Sequence, residues 1–491
     1  MADTEALARP APGRRRMDLT SGPITRTLLF FALPTLGSNV LQSLNGSINA
    51  IWVGRFLGED ALAATSNANL IMFLMFAGVF GFGMAATILV GQNVGRGNIR
   101  EARRALGTAV GGFVGLAALV AVIGWSTAPA ILRLLATPGD AMGMALAYLR
   151  VIFLTMPSAF LMVLLMMGLR GVGDSMTPLW FMGMSVVLDS TLNPVFILGL
   201  GPVPEMGIAG SAMATLVSGY ASLAAMIAYI YLRDLPIRLR GAEWRFLIPD
   251  PALLRVILAK GLPMGMQMLV VSSAALAMIG LVNREGVVVT AAYGITQQLW
   301  TYIQMPAMAI GAAVSAMAAQ NIGAGRWDRV SQITRSAVII NLLLTGGLVL
   351  LLTAVDRAAL GLFLQPGSPA LPIARHIQLI GSWGFILFGM TLVLFGVARA
   401  NGAVYGPLII LFVSMFPVRL GLAYALHPQF GIEALWWSFP LGSIASWAMS
   451  IYYYRYGRWR ETRLLEEIDE TEAKEKCLAD GEPGGSLQPN G

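Results

Sequence analysis

Asp189 is the acid best placed to do chemistry, because it lies in the middle of a long apolar stretch while the other acids lie near the ends of such stretches. A carboxylate at the centre of a bilayer costs about 2.5 to 3.5 kcal/mol, so an acid there indicates a cavity or an ion pathway. Asn193 lies four residues on and shares its helical face. Pro194 cannot donate a backbone N–H, which leaves the carbonyl of Ser190 available to an ion, a water molecule or a kink. This patch predicts a site for a proton or a monovalent cation.

A second group of amides lies on the first apolar stretch. Gln42, Asn45 and Asn49 are spaced by three and four residues, so they project from one face of a helix. Gln42 and Asn45 are predicted to line the substrate cavity. The amide oxygens of Asn49 and Asn193, with the hydroxyl of Thr215 on the sixth stretch, could complete an oxygen shell around Na⁺ next to the carboxylate. The alternative is that the carboxylate itself exchanges a proton for a cationic compound.

Polar residues on the eighth apolar stretch are open to two interpretations. Gln297, Gln298 and Trp300 could line a substrate cavity, but interhelical hydrogen bonding and packing would use the same residue types. The sequence has no paired-acid, His-Glu metal or nucleophile motif. We therefore expect no enzyme activity, no metal site and no cofactor apart from a coupling ion, H⁺ or Na⁺.

The elements that must position these side chains are membrane helices. The 491 residues are 56% hydrophobic and 12% charged, with a mean hydropathy of +0.69, whereas soluble domains have about 25% charged residues. A spanning helix needs about 20 mostly apolar residues. Apolar runs bounded by glycine, proline or charge predict an all-α integral membrane protein with helices near residues 24–53, 61–90, 102–126, 141–167, 176–199, 207–232, 252–282, 290–318, 329–354, 370–397, 405–426 and 432–455.

Basic residues are concentrated on the same side of the predicted helices as the two termini, and this side is expected to be cytoplasmic. The scheme gives an N-terminal tail (1–22), a six-helix bundle (23–232), a cytoplasmic linker (233–251), a second bundle (252–456) and a cytoplasmic, disordered tail (457–491). We expect a multi-pass monomer in the lipid bilayer of a bacterial inner membrane. The net charge of +7 does not indicate a nucleic-acid partner, because the basic residues lie at helix ends.

An internal repeat relates the two predicted bundles. A Gln-Asn-x-Gly-x-Gly motif follows the second helix and recurs 228 residues later after the eighth, and other landmarks keep an offset of 228 or 229. The paired positions are Gln92 and Gln320, Asn93 and Asn321, Gly95 and Gly323, Pro34 and Pro263, Arg170 and Arg399, and Pro178 and Pro407. We interpret the two motifs as turn-forming scaffold. Six helices separate the copies, so both have one orientation and a pseudo-two-fold axis along the membrane normal.

With these motifs, the chain resembles the multidrug and toxic compound extrusion (MATE) family over about residues 17–460. Supporting pieces are the Gly-Glu-Asp-Ala-Leu-Ala-Ala run at 58–64, Gly-Val-Gly-Asp at 171–174, Gly-Ile-Ala-Gly at 207–210 and Arg419. The resemblance implies two pseudo-symmetric six-helix bundles around a central cavity. It also implies export of small cationic or amphiphilic compounds in exchange for H⁺ or Na⁺ by alternating access.

The sequence departs from the family pattern at the acids. Asn49 stands where one branch has an aspartate in helix one, and Asp189 followed by Asn193 reverses that branch's order of amide and acid in helix five. The acids that another branch carries in helices seven and ten are absent from 264–279 and 383–397. Coupling is therefore expected to depend on the N-terminal bundle.

Two other functions compete with drug export. A flippase for lipid-linked precursors would need a strongly cationic cavity, and Arg419 keeps that possibility open. A membrane-embedded lipid-modifying enzyme would need a catalytic motif that the sequence lacks. Gradient-driven transport in vesicles would separate a carrier from a passive channel.

Overall fold

The computed structural model describes residues 19–134, 139–201, 204–361, 363, 368–462 and 464–466, and these form helices without any strand. The first half contains α1 (Ile24–Leu57), α2 (Glu59–Gly95), α3 (Ile99–Leu134), α4 (Gly139–Gly171), α5 (Met176–Leu198) and α6 (Ile208–Leu232). The second half contains α7 (Pro251–Val282), α8 (Val287–Gly323), α9 (Trp327–Ala354), α10 (Asp356–Gly361), α11 (Ala370–Gly381), α12 (Gly384–Ala400), α13 (Tyr405–Val413), a π-helical segment (Ser414–Leu420), α14 (Gly421–Phe430) and α15 (Glu433–Tyr456).

The predicted all-α membrane fold is confirmed. Within the described residues, ten helices are long and apolar enough to span a membrane, and the pair α11–α12, bent by 44°, makes an eleventh span. The twelfth predicted segment is α15, 24 residues long, whose Trp, Tyr and Ser side chains make it less apolar. α2 and α8 have 37 residues each, about 55 Å at 1.5 Å per residue, so they exceed the hydrocarbon core of about 30 Å.

Two of the predicted helices are interrupted. The segment predicted at 370–397 breaks between Gly381 and Gly384, where the indole of Trp300 occupies the space that a side chain at 381 would need. The segment predicted at 405–426 contains the π-helical turn around Pro417, which lacks a backbone N–H. Pro34, Pro194 and Pro263 lie inside α1, α5 and α7 without breaking them.

The two halves meet closely at the end of the molecule that carries the two Gln-Asn motifs, here called the motif end. Gln92 Nε2 donates to the carbonyl of Ala400 at 2.6 Å, and Gln320 Nε2 donates to that of Gly171 at 2.8 Å. A Cβ on Gly95 or on Gly323 would overlap backbone of the opposite half. The motif glutamines and glycines therefore join the halves, in addition to any role in their own turns.

The motif asparagines fasten neighbouring backbone. Asn93 Nδ2 donates to the carbonyl of Leu89 at 3.0 Å, and Asn321 Nδ2 donates to those of Met317 at 2.8 Å and Leu19 at 2.9 Å. Leu19 is fully buried, so the end of the predicted tail 1–22 packs onto α8, while residues 1–18 lie outside the described residues.

The start of the predicted disordered tail at 457–491 is ordered, which corrects that prediction. Trp459 is buried and accepts a hydrogen bond at its carbonyl from Asn401 Nδ2 at 2.7 Å. Leu464 and Leu465 are buried in the core that includes α2, α7 and α12. Burial of these three apolar side chains stabilises the segment although its composition is polar. Residues 467–491 lie outside the described residues.

The linker between the halves is also packed. It forms a 3₁₀ helix (Gly241–Leu247) against α3, where Arg103 forms an ion pair with Glu243 at 3.0 Å. Asp250 accepts from the N–H of Ala252 at 3.1 Å and so caps α7.

A candidate ion site in the N-terminal bundle

Asp189 is buried between α5, α1 and α6, with 1% of its surface exposed. Its carboxylate accepts hydrogen bonds from Asn49 Nδ2 at 2.8 Å, Thr215 Oγ1 at 3.1 Å and Asn193 Nδ2 at 3.3 Å. Asn193 also donates to Asn49 Oδ1 at 2.9 Å. The four residues that the sequence grouped as ion-coupling thus form one network across three helices.

Unsatisfied acceptors lie beside this carboxylate. Asn45 is a further side-chain partner of Asp189, and the buried Oδ1 atoms of Asn45 and Asn193 accept no hydrogen bond from the described residues. The hydroxyl of Ser190 is likewise buried without a partner there. Buried polar atoms are normally hydrogen-bonded, so these orphaned oxygens indicate room for a cation or water.

The charge of Asp189 has no cationic partner in the part of the chain that the structure describes. Its protein neighbours are neutral amides and hydroxyls, together with Tyr148 of α4, which interacts electrostatically with it. Sequence patterning did not single out Tyr148, because it is one of few polar groups in the largely apolar α4. An acid held only by neutral donors can bind and release a cation without breaking an ion pair.

The amide-bearing part of α1 lies on an uncovered stretch of that helix. Between residues 39 and 52 no side chain is buried, whereas the preceding turns contribute Phe31, Ala32 and Ser38 to the interior. Gln42 is exposed, and Asn45 and Asn49 are partly buried. Asp189 itself stays buried, while the part of α1 that contributes Asn45 and Asn49 presents its other side chains to the surface.

The residues proposed on the eighth stretch do not form one surface. Trp300 is 2% exposed, and its Nε1 donates to Gln378 at 2.7 Å within a cluster of aromatic rings. Gln297 is partly buried, and Gln298 is exposed and near the hydroxyl of Tyr302 at 3.5 Å. Trp300 is therefore a packing residue. Of the three predicted residues, only Gln297 and Gln298 keep polar atoms near a surface.

Two packed halves of membrane-length apolar helices, with a buried acid held by neutral donors in the N-terminal half, define a multi-pass membrane protein. The MatE family model matches residues 34–195 and 263–425, one match in each half. The chain belongs to this family, the MATE transporters.

Relatives and solved structures agree with this assignment. The chain is 35% identical over 448 residues to "Probable multidrug resistance protein YoeA" of Bacillus subtilis, covering 90% of this chain and 96% of the relative. It is 30% identical to "Probable multidrug resistance protein YpnP" of the same organism, covering 92% and 99%. A crystal structure of MATE in complex with MaL6 matches with a TM-score of 0.82 and 18% identity over 94% of this chain and 100% of the other.

Proposed function

We propose that the protein exports small cationic or amphiphilic compounds from the cytoplasm in exchange for H⁺ or Na⁺. The observation that carries this proposal is the Asp189 network, an acid buried in the membrane region with neutral donors and orphaned acceptors around it. The names of the relatives, multidrug resistance proteins, support small toxic compounds as cargo. One charge crossing 100 mV supplies about 2.3 kcal/mol, or about fifty-fold accumulation, so a single site is sufficient.

In a bacterial inner membrane, the positive-inside pattern favours the orientation with both termini and the motif end in the cytoplasm. With that orientation, the halves are joined on the cytoplasmic side, and α1 is uncovered toward the outside. This arrangement corresponds to an outward-facing state. Entry of the coupling ion at Asp189 neutralises the carboxylate and removes the charge that holds a cationic compound, and the reverse exchange occurs after the halves rock to open the motif end.

Both coupling ions are chemically compatible with the site. A proton needs only the carboxylate. A sodium ion needs several oxygen ligands besides the carboxylate. The orphaned Oδ1 atoms of Asn45 and Asn193 would supply two, and rotation of the Asn49 amide would supply a third.

The test is efflux of ethidium from proteoliposomes under a proton gradient or a sodium gradient imposed separately. Asp189→Asn is expected to abolish gradient-driven efflux while the protein remains folded. Asp174→Asn is the matched control, because Asp174 lies at the start of α5, where its Oδ1 accepts from the N–H of Thr177 at 3.0 Å, a bond that the amide oxygen of asparagine can also accept. Coupled efflux by Asp189→Asn at the wild-type rate would contradict the proposal. Transport of lipid-linked precursors in place of ethidium would favour the flippase.

A further inference from the structure

Arg419 is a charged residue deep in the second half that the proposed coupling mechanism does not use. It lies in the π-helical segment, about 17 Å before the end of α14 at 1.5 Å per residue. Its guanidinium carbon stands 4.6 Å from the centre of the Phe439 ring, and its buried Nε has no hydrogen-bond acceptor among the described residues. Charged side chains at this depth are costly and mark functional sites by default.

The internal repeat places Arg419 opposite Asp189. Pro178 and Pro407 are 229 residues apart. The π-helical segment that contains Arg419 adds one residue to a turn, which brings the offset to 230 at Arg419. Asp189 and Arg419 are therefore equivalent positions of the two halves. At this position the halves have opposite charges.

Side-chain contacts support this register independently. α6 begins at the second residue of the Gly-Ile pair at 207–208, and α15 begins directly after the equivalent pair at 431–432. The two pairs are 224 residues apart, which makes Thr215 the counterpart of Phe439. Thr215 of α6 contacts Asp189, and Phe439 is one of the α15 residues that lie against Arg419. Both halves thus bring the same pair of positions together.

Asp189 and Arg419 also have different neighbours. The counterparts of Asn45 and Asn49 at an offset of 229 are Ala274 and Met278, which have no hydrogen-bonding group. The second half therefore lacks the oxygen-rich shell of the ion site. Its charged group lies instead on an aromatic wall, where Phe439 contacts both Trp300 and Tyr293.

The backbone opposite Arg419 is adapted to its guanidinium. A Cβ on Gly442 of α15 would stand 3.1 Å from Arg419 Cβ and 3.3 Å from its Nε. A larger residue at 442 would push the side chain from the Phe439 ring. A planar guanidinium that is fixed on an aromatic face and lacks a carboxylate partner is suited to bidentate binding of a carboxylate or phosphate.

We propose that Arg419 forms an oxyanion-binding subsite in the second half, which binds the carboxylate or phosphate group of an amphiphilic solute. Together with Asp189 in the first half, this subsite makes zwitterionic amphiphiles the preferred cargo. The inference rests on the proposed export function for its physiological meaning, but binding alone tests it.

The test uses rhodamine 110, which has a free carboxyl group, and rhodamine 123, its methyl ester. Binding of each dye to the full-length protein in phosphatidylcholine nanodiscs is measured by fluorescence anisotropy. The wild type is expected to bind rhodamine 110 more tightly, and Arg419→Gln is expected to weaken that binding about ten- to a hundredfold. Its binding of rhodamine 123 should change less than twofold. Arg419→Lys should give an intermediate loss, since a point charge replaces the bidentate group.

Arg150→Gln is the matched control. Arg150 also stands 4.6 Å from an aromatic ring, that of Trp125, and its Nε also lacks an acceptor among the described residues. It is not the counterpart of Asp189, so the preference for rhodamine 110 should survive this substitution. Equal loss of both dyes in Arg419→Gln, or equal binding of both by the wild type, would overturn the subsite.

Two further outcomes are decisive. If phosphatidylglycerol in the nanodiscs removes the Arg419-dependent preference, the bound oxyanion is a lipid headgroup and the solute subsite is rejected. If neither dye binds to the wild type, the inference is also rejected. The proposed export function is tested separately by ethidium efflux. It fails if Asp189→Asn retains full coupled efflux, and this result does not depend on which rhodamine dye the protein prefers.

Discussion

Gly323→Ala tests whether close packing at the motif end holds the present conformation. A Cβ on Gly323 would stand 2.7 Å from the carbonyl carbon of Gln92 and 2.8 Å from its Cα. Carbon atoms in contact are normally about 3.5 to 4.0 Å apart, so α2 and α8 must separate by about 1 Å. Overpacking of this kind costs about 1 to 3 kcal/mol in a packed interior.

This cost applies only while the motif end is closed, because alternating access requires the same helices to be apart in the other state. The substitution should therefore shift the population toward the state open at the motif end by about 5- to 150-fold. The repeat predicts the same effect for Gly95→Ala, whose Cβ would stand 2.8 Å from the carbonyl carbon of Gln320.

The assay is maleimide labelling of a cysteine at Ala319, in a background where Cys477 is replaced by serine. Ala319 is fully buried, and its Cβ lies 3.0 Å from a Cβ built on Gly91 of the other half. A membrane-impermeant reagent added at the motif end should label Gly323→Ala about 5- to 150-fold faster than the parent. Gly115→Ala is the control, since nothing lies within 4 Å of a Cβ there. An unchanged labelling rate in a folded Gly323→Ala protein would refute the reasoning.

Three smaller changes follow from the same contacts. Thr215→Val should shift the coupling-ion concentration for half-maximal efflux about 3- to 20-fold. The concentration should rise for Na⁺, because the ion loses a ligand, and fall for H⁺, because the ionised acid loses a hydrogen-bond donor. Thr191→Val removes only bonds to carbonyls of its own helix and should leave this concentration unchanged in the same titration. Gln320→Leu removes the 2.8 Å bond to Gly171, so labelling at the motif end should rise about threefold, and slower labelling would contradict this role. Leu464→Ser removes a buried apolar side chain at the contact of α2, α7 and α12. In a denaturation assay the free energy of unfolding should fall by about 2 kcal/mol, and a fall of less than about 0.5 kcal/mol would show that the segment contributes little to stability.

The residues of the candidate ion site could be grouped from the sequence, because a charged side chain is costly in lipid and is therefore rare in an apolar stretch. Asp189 stands out in an apolar stretch, helical spacing adds Asn193 to its face, and the amides of α1 form a second face. Helical spacing does not show that the polar faces of α1 and α5 contact each other. The structure shows this contact through the 2.8 Å hydrogen bond from Asn49 to Asp189. Tyr148 could not be found, because one tyrosine in an apolar helix has no periodic signal.

The sequence by itself determined the helical class, the two halves and the identity of the buried acid, because the periodicity of a helix and the cost of charge in lipid act locally along the chain. Only the tertiary structure decided which helices are interrupted, that Trp300 is a core residue, and that Leu464 and Leu465 belong to the core. It also decided that Arg419 lies against Phe439 of α15 while Asp189 contacts Thr215 of α6, because contacts between helices depend on where a π-helical turn falls and cannot be counted along the chain.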